Sequence, residues 1–231
     1  MSRIHFVGGE KGGVGKSVVA RLLAQHFVDQ ALPFAGVDGE PFGGALVRHY
    51  REFSHSVDLS APESADQIMD RALGAERRVL VDLPAQSARA LHEWLDSASV
   101  LEFATEMAIG LTFWHVCDGG FLSVSDIERS LVRLGSRVEH VVVKNLGRSR
   151  DFTQFEESDT KRLLDTSGGR TITLPELDPA TMYKIDRLGL SFWAAGHLTE
   201  GDSVLKPLER QRVKGWLERA YAEFATLQGV I

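Results

Sequence analysis

The sequence predicts an α/β fold, a mostly parallel sheet with helices on both faces. Three observations predict it. Short apolar runs alternate with segments of helical periodicity along the chain. The first of these runs enters a glycine-rich loop that opens a helix. The 231 residues contain no internal repeat, low-complexity tract or linker, so a single domain is expected over 1–231.

The elements follow in order. Arg3–Gly8 reads as a buried strand. Val19, Leu22, Leu23, His26 and Phe27 recur on one helical face, which predicts a helix from Lys16 to about Gln30. Phe34–Val37 is a short strand ending in Asp38, and a helix is expected at Ser64–Leu73 after a polar, irregular stretch. Arg78–Val81 is a strand ending in Asp82, followed by a helix at Ala88–Leu95. Ile109–Val116 and His140–Val143 are strands separated by a helix at Val124–Leu134, which Ser123 and Ser125 are expected to cap. Thr171–Leu174 is a last strand, closed by Pro175. A C-terminal helix over about 203–227 carries Val213, Trp216, Leu217, Ala220, Tyr221 and Phe224 on one stripe and is expected to pack on the domain.

Composition narrows the function classes. A net charge of -6 argues against a protein that coats nucleic acid. The single cysteine, Cys117, excludes an internal disulfide framework and fits a reducing compartment. No apolar signal core precedes the first strand, and the greasiest stretch, Met107–Cys117, is too short to span a bilayer. These features predict a cytoplasmic protein with no integral membrane association. Eight histidines show no metal-binding spacing. His115 and Cys117 share a strand face, but a half-buried strand with a polar end explains them better than a metal.

Residues 9–17, Gly-Glu-Lys-Gly-Gly-Val-Gly-Lys-Ser, end as the phosphate-cradling template G-x-x-x-x-G-K-[S/T] does. Inward-turned amides and the helix N-terminus would hold phosphate, Lys16 would reach the β- and γ-phosphates, and Ser17 would ligate Mg²⁺. The template's first glycine is replaced by Glu10, and the loop gains a second lysine, Lys11. A lysine ahead of the glycines is placed to reach across a two-fold interface and neutralise the partner's phosphates, as arginine fingers do.

Lys11-Gly-Gly-Val-Gly-Lys-Ser17 resembles the deviant Walker A motif of the ParA/MinD family of dimeric ATPases, in the SIMIBI class of P-loop NTPases. The likeness extends loosely over most of the chain. It implies a P-loop NTPase fold, ATP and Mg²⁺ as cofactors, and a nucleotide-dependent homodimer that hydrolyses ATP slowly. The implied role is plasmid partition, conjugation or positioning of a macromolecular assembly through an unknown protein partner or cargo, with TraL-like conjugal-transfer ATPases as a subgroup.

Site roles follow from the same resemblance. Catalytic roles fall to Lys11, Lys16, Asp38 and Glu40, and nucleotide contacts to Gly12, Gly13, Val14, Gly15, Lys16, Ser17, Val18, Asn145 and Pro175. Metal ligation falls to Ser17, Asp38 and Asp82. Asp38-Gly-Glu-Pro41 stands where the family has Asp-x-Asp-Pro, so Glu40 replaces a water-positioning aspartate, and Phe42 replaces the usual glutamine. Val79-Leu-Val-Asp82-Leu-Pro84 resembles the third-strand signature, and Asn145 is the candidate for pairing with adenine.

Rival readings on the same fold are a small-molecule kinase or ATP-dependent ligase, and a nucleotide-dependent adaptor with little hydrolysis. A cluster carrier would rest on Cys117 alone. The basic residues of the last helix allow weak nonspecific DNA contact. The stretch from Arg148 to Glu157 reads either as a partner surface or as a solvated connection.

Overall fold

A computed structural model describes residues 1–74, 77–201 and 204–231. Strands β1 (Arg3–Gly8), β2 (Phe34–Asp38), β3 (Ser54–Ser56), β4 (Arg78–Asp82), β5 (Gly110–Cys117), β6 (Glu139–Asn145) and β7 (Arg170–Leu174) form one sheet. Its order is β3-β2-β4-β1-β5-β6-β7, and every pairing is parallel. The strands therefore end together along one edge, where the site lies.

Successive side chains of the central strands leave on opposite faces, and both faces are buried. Ile4 and Phe6 of β1 pack with Val79 and Val81 of β4 on one face, whereas Val7 and Leu80 join Trp114 and Val116 on the other. The first face is covered by α3 (Pro62–Leu73), α4 (Ala88–Ser97) and α5 (Val100–Glu106). The second is covered by α1 (Lys16–Asp29) and the C-terminal helix. Two-sided burial is why the strands read as nearly continuous apolar runs.

Several short elements were not visible in the sequence: β3, α2 (Ala45–His49), α5, α7 (Thr153–Glu156), α8 (Asp159–Thr166), α9 (Pro179–Leu188) and α10 (Phe192–His197). They are held by capping and tertiary contacts. The Asp178 carboxylate accepts from Thr181 N at 2.9 Å to cap α9, and the Ser191 hydroxyl accepts from Ala194 N at 3.1 Å to cap α10. The stretch after Arg148 is not simply a solvated loop, because Phe155 is fully buried and Phe152 nearly so.

Two further expectations need correction. Helix α6 runs Phe121–Leu134 with Gly120 at its N-cap, so neither Ser123 nor Ser125 caps it; Ser123 Oγ instead donates to Asp118 Oδ1 at 2.6 Å. The last helix, α11, spans Pro207–Ala225 and is bounded by proline at its first turn. The expected start at Ser203 lies outside the described residues. Its stripe packs on the sheet, with Trp216 1% exposed and its Nε1 donating to Pro175 O at 2.7 Å. No described helix is long and apolar enough to cross a membrane.

His5 lies in the centre of the sheet, fully buried between Phe27 and Trp114. Burial, with Arg3 and Arg78 nearby, pushes its pKa down to about 3. The folded protein thus keeps this ring neutral while the unfolded chain takes up a proton below about pH 6.5. His5 stability is full above that pH and is lost as pH falls towards 3. Substitution His5→Leu is expected to flatten the pH dependence of stability between pH 7 and 4.5 by roughly 2 kcal/mol relative to wild type. Urea unfolding at both pH values measures it, and an unchanged slope would refute the assignment.

Candidate functional site

β1 lies between β4 and β5, the point at which connections turn from one half of the sheet to the other. Crevices outside the strand ends at such points are where open α/β sheets bind ligands. The loop after β1 occupies this point. Its last glycine, Gly15, has φ 103°, and a Cβ there would stand 2.3 Å from Asn145 Nδ2. Only glycine meets both conditions. Asn145, at the end of β6, donates from Nδ2 to Val14 O at 2.7 Å and accepts from Gly147 N at 3.0 Å. It clasps the loop from the side and sits 5% exposed.

Helix α1 begins directly behind Gly15 with no side-chain cap and no acidic residue in its first turn. Its first amides are left available for an anion. Lys16 is 7% exposed, and its Nζ donates to the Lys11 carbonyl at 2.9 Å. Burial lowers its pKa, an effect that Asp82 and Glu10 oppose. The Ser17 hydroxyl lies close enough to the Asp82 carboxylate to lower its pKa. Asp82 is 4% exposed, and its Oδ1 is buried without a partner. Burial above all, with Asp38 adding to it, raises the Asp82 pKa to about 7 despite the Ser17 hydroxyl and Lys16. A hydroxyl beside a carboxylate with an orphaned oxygen is a donor set that fits Mg²⁺ and its water shell.

Asp38 is 1% exposed and engaged at both oxygens. Oδ1 accepts from Glu40 N at 3.1 Å, while Oδ2 accepts from Leu46 N at 2.9 Å and Val47 N at 3.1 Å. It folds the loop 40–47 against the strand end and starts α2. A Cβ on Gly44 would come within 2.2 Å of this carboxylate, so the loop closes tightly around it. Glu40 is exposed, and Phe42 is fully so.

Lys16, Ser17, Asp38, Glu40 and Asp82 line one cavity of about 540 Å³, together with Gly12, Gly13, Gly15 and Val18. A neighbouring cavity of about 240 Å³ contains Asn145, Pro175, Met182 and Trp216. Val18, Arg148 and Asp186 line both, so the two form a continuous groove from the loop to the end of β7. Lys11 lines neither. Its Nζ pairs with Asp118 Oδ2 at 2.5 Å, on the β5 side of the loop. Partial burial opposes the shift, yet hydrogen bonds from Lys11, Ser123 and Gly120 hold the Asp118 carboxyl below its usual range.

The structure adds residues that the sequence did not flag. Arg21, Arg48, His49 and Asp186 line the larger cavity, and Asp118 meets Lys11. None belongs to a local motif, and Asp186 lies 165 residues from its partner Arg21. Glu10 also gains a role. Its Oε1 accepts from Ala88 N at 2.8 Å and so caps α4, whose own N-cap residue Ser87 donates instead to Pro84 O at 2.9 Å. A separate cavity of about 480 Å³ lies between α4 and α6, but Lys16, Ser17, Asp38 and Asp82 are absent from its wall. His115 there hydrogen-bonds His140 at 2.9 Å, and burial raises the Cys117 pKa to about 11. No metal-holding group of three or more His, Cys, Asp or Glu occurs among the described residues.

Two outcomes are expected. Asp82→Asn removes a carboxylate that the metal-free fold strains to ionise, so at pH 8 it raises stability by roughly 1–3 kcal/mol while abolishing the effect of Mg²⁺ on nucleotide binding. Urea unfolding and calorimetry test the two halves, and a destabilised metal-free variant would contradict the reading. Glu10→Ala removes the cap of α4 and costs about 1 kcal/mol, with amide exchange accelerated at Ala88; unchanged exchange there would show the cap to be idle.

No family model matches the chain. Among curated proteins, it is 29% identical over 125 residues to Protein TraL of Escherichia coli. That alignment spans 52% of each chain, so the chain matches about half the length of this relative. Among solved structures, it resembles the septum site-determining protein MinD of Pyrococcus horikoshii, complexed with Mg-ADP, at 13% identity over 100% of both chains and TM-score 0.56. The MinD cell division protein of Aquifex aeolicus is 12% identical over 96% of this chain and 98% of its own, with TM-score 0.53. A nucleotide-binding protein from Archaeoglobus fulgidus in complex with ADP is 20% identical over 81% and 86%, with TM-score 0.51. The chain has the α/β P-loop fold of the MinD ATPases.

Proposed function

We propose that the chain is an ATP-binding, slowly hydrolysing switch that dimerises around its nucleotide, in plasmid partition, conjugation or the positioning of another macromolecular assembly. The divergence of its two loop lysines carries this reading. Lys16 turns into the chain's own cavity, and Lys11 turns out of it, to Asp118. A cation that does not serve its own nucleotide is available to a second copy's. The Mg-ADP and ADP complexes of the structural neighbours, and the partial likeness to TraL, support the nucleotide and the setting.

The phosphates would lie over the amides of Gly12–Ser17, with the Lys16 ammonium on the β- and γ-phosphates. Ser17 directly, and Asp82 through water, would hold Mg²⁺, which supplies charge neutralisation at the β- and γ-oxygens. Asn145 and Pro175 would flank the base. In hydrolysis a water oxygen attacks the γ-phosphorus, the bond to the β–γ bridging oxygen breaks, and ADP and phosphate result. Glu40 would orient that water from the loop that Asp38 organises. Because the Asp38 oxygens already accept from three backbone amides, Asp38 acts by placing the loop, and turnover is slow until a partner presses it shut.

Sedimentation with ADP, ATP and a nonhydrolysable analogue tests the switch. ATP should give a dimer, ADP a monomer, and Lys11→Ala a monomer that still binds ATP. Asp118→Asn, which frees Lys11, should strengthen the ATP dimer by roughly two- to fivefold, the worth of a partly exposed ion pair. A monomer in every state, or a dimer indifferent to Lys11, would overturn the reading. Turnover that depends on an added metabolite would instead favour a kinase or ligase.

A further inference from the structure

The groove between the loop cavity and the Asn145–Pro175 cavity has a polar seam with its own chemistry. Three residues line both cavities: Val18, Arg148 and Asp186. With phosphates at one end and a flat base at the other, the seam is where the sugar of a nucleotide falls. Resting on the nucleotide reading above, we propose that Asp186 is the ribose-binding residue of this site, accepting from the 2′- and 3′-hydroxyls and selecting ribonucleotides over deoxynucleotides.

Asp186 is held for such a task from two sides. Arg21 Nη1 donates to its Oδ1 at 2.6 Å, and Arg48 Nη2 donates to its main-chain carbonyl at 2.7 Å. Arg21 is itself fixed, with its side chain 4% exposed and its guanidinium 4.6 Å from the centre of the Phe192 ring. The Asp186 side chain nevertheless remains 46% exposed. One carboxylate oxygen is therefore anchored in the protein while the group as a whole still faces the groove. An ionised carboxylate is a strong acceptor for hydroxyl donors and repels phosphate, so it suits a sugar diol and not a further phosphoryl group.

The anchor also ties sugar recognition to phosphate recognition. Arg21 stands on the same helix, α1, whose first turn carries Lys16 and Ser17. Its Nε and Nη2 are buried without partners, so Asp186 is the group that compensates its charge. Any movement of α1 on phosphate binding is transmitted to the carboxylate through a single ion pair.

Titration calorimetry of the full chain with ATP, 2′-deoxyATP, 3′-deoxyATP and 2′,3′-dideoxyATP, each with Mg²⁺, tests the assignment. Wild type should bind ATP about tenfold more tightly than the dideoxy analogue, the worth of hydrogen bonds to a charged acceptor. Asp186→Ala should bind ATP and dideoxyATP alike. Because that variant leaves Arg21 uncompensated, the double variant Arg21→Met, Asp186→Ala provides a second measurement, with circular dichroism verifying the fold. Equal wild-type affinities for ATP and dideoxyATP would overturn the proposal while leaving ATP binding intact, as would discrimination that survives in the folded double variant. Failure of wild type to bind any of the four nucleotides would instead sink the nucleotide reading itself.

Discussion

Four charged side chains are buried around one cavity: Lys16, Arg21, Asp38 and Asp82, each under 10% exposed. Charge removed from water must be compensated locally or the fold pays several kcal/mol per group. Three of the four are compensated by the protein. Asp38 receives backbone amides, Arg21 receives Asp186, and Lys16 receives the Lys11 carbonyl. Arg21 still keeps Nε and Nη2 without partners, and Asp82 keeps one oxygen bare. The remaining electrostatic deficit of the cup therefore centres on Asp82, whose pKa burial raises to about 7. The positive-φ loop, the helix start and the strand ends are arranged around that deficit.

The sequence made the frame of this cup legible and left its walls obscure. The strands were readable because burial on both faces makes each a compact apolar run. The loop, Asp38 and Asp82 were readable because each sits at the end of such a run. Asn145 stands out in the sequence as a candidate for pairing with adenine, whereas its clasp on Val14 is a contact between distant segments that no spacing reveals. Helix α2 was invisible, since five residues organised by one carboxylate have no periodicity to detect. Glu10, which in the template stands where glycine should be, has a physical explanation only once α4 is seen to need a cap and Ser87 not to supply it. Arg21 and Asp186 offered no local signal, because an ion pair between distant helices leaves two ordinary charged residues in the text.

The phosphate loop is also wired to its surroundings unequally. On one side Glu10 joins it to α4, directly after the Asp82–Pro84 segment. On the other, Asn145 joins it to β6. Lys11 adds an ion pair to the turn after β5. These contacts differ in what removing them would disturb. The Asn145 contact is buried and sets the shape of the loop, whereas the Lys11 contact is partly exposed and joins groups that can separate without opening the core. The stiff link and the releasable link lie within a few residues of one another.

The clasp at Asn145 also bears on how the protein comes into being. Val14 and Asn145 are 131 residues apart, Arg21 and Asp186 are 165 apart, and Gln25 reaches Trp193 across 168. The loop is synthesised well before Asn145, the residue that holds its shape. A nascent chain therefore carries residues 9–17 long before Asn145 can fix their conformation. The settled shape of the loop thus reports that synthesis has passed the end of β6.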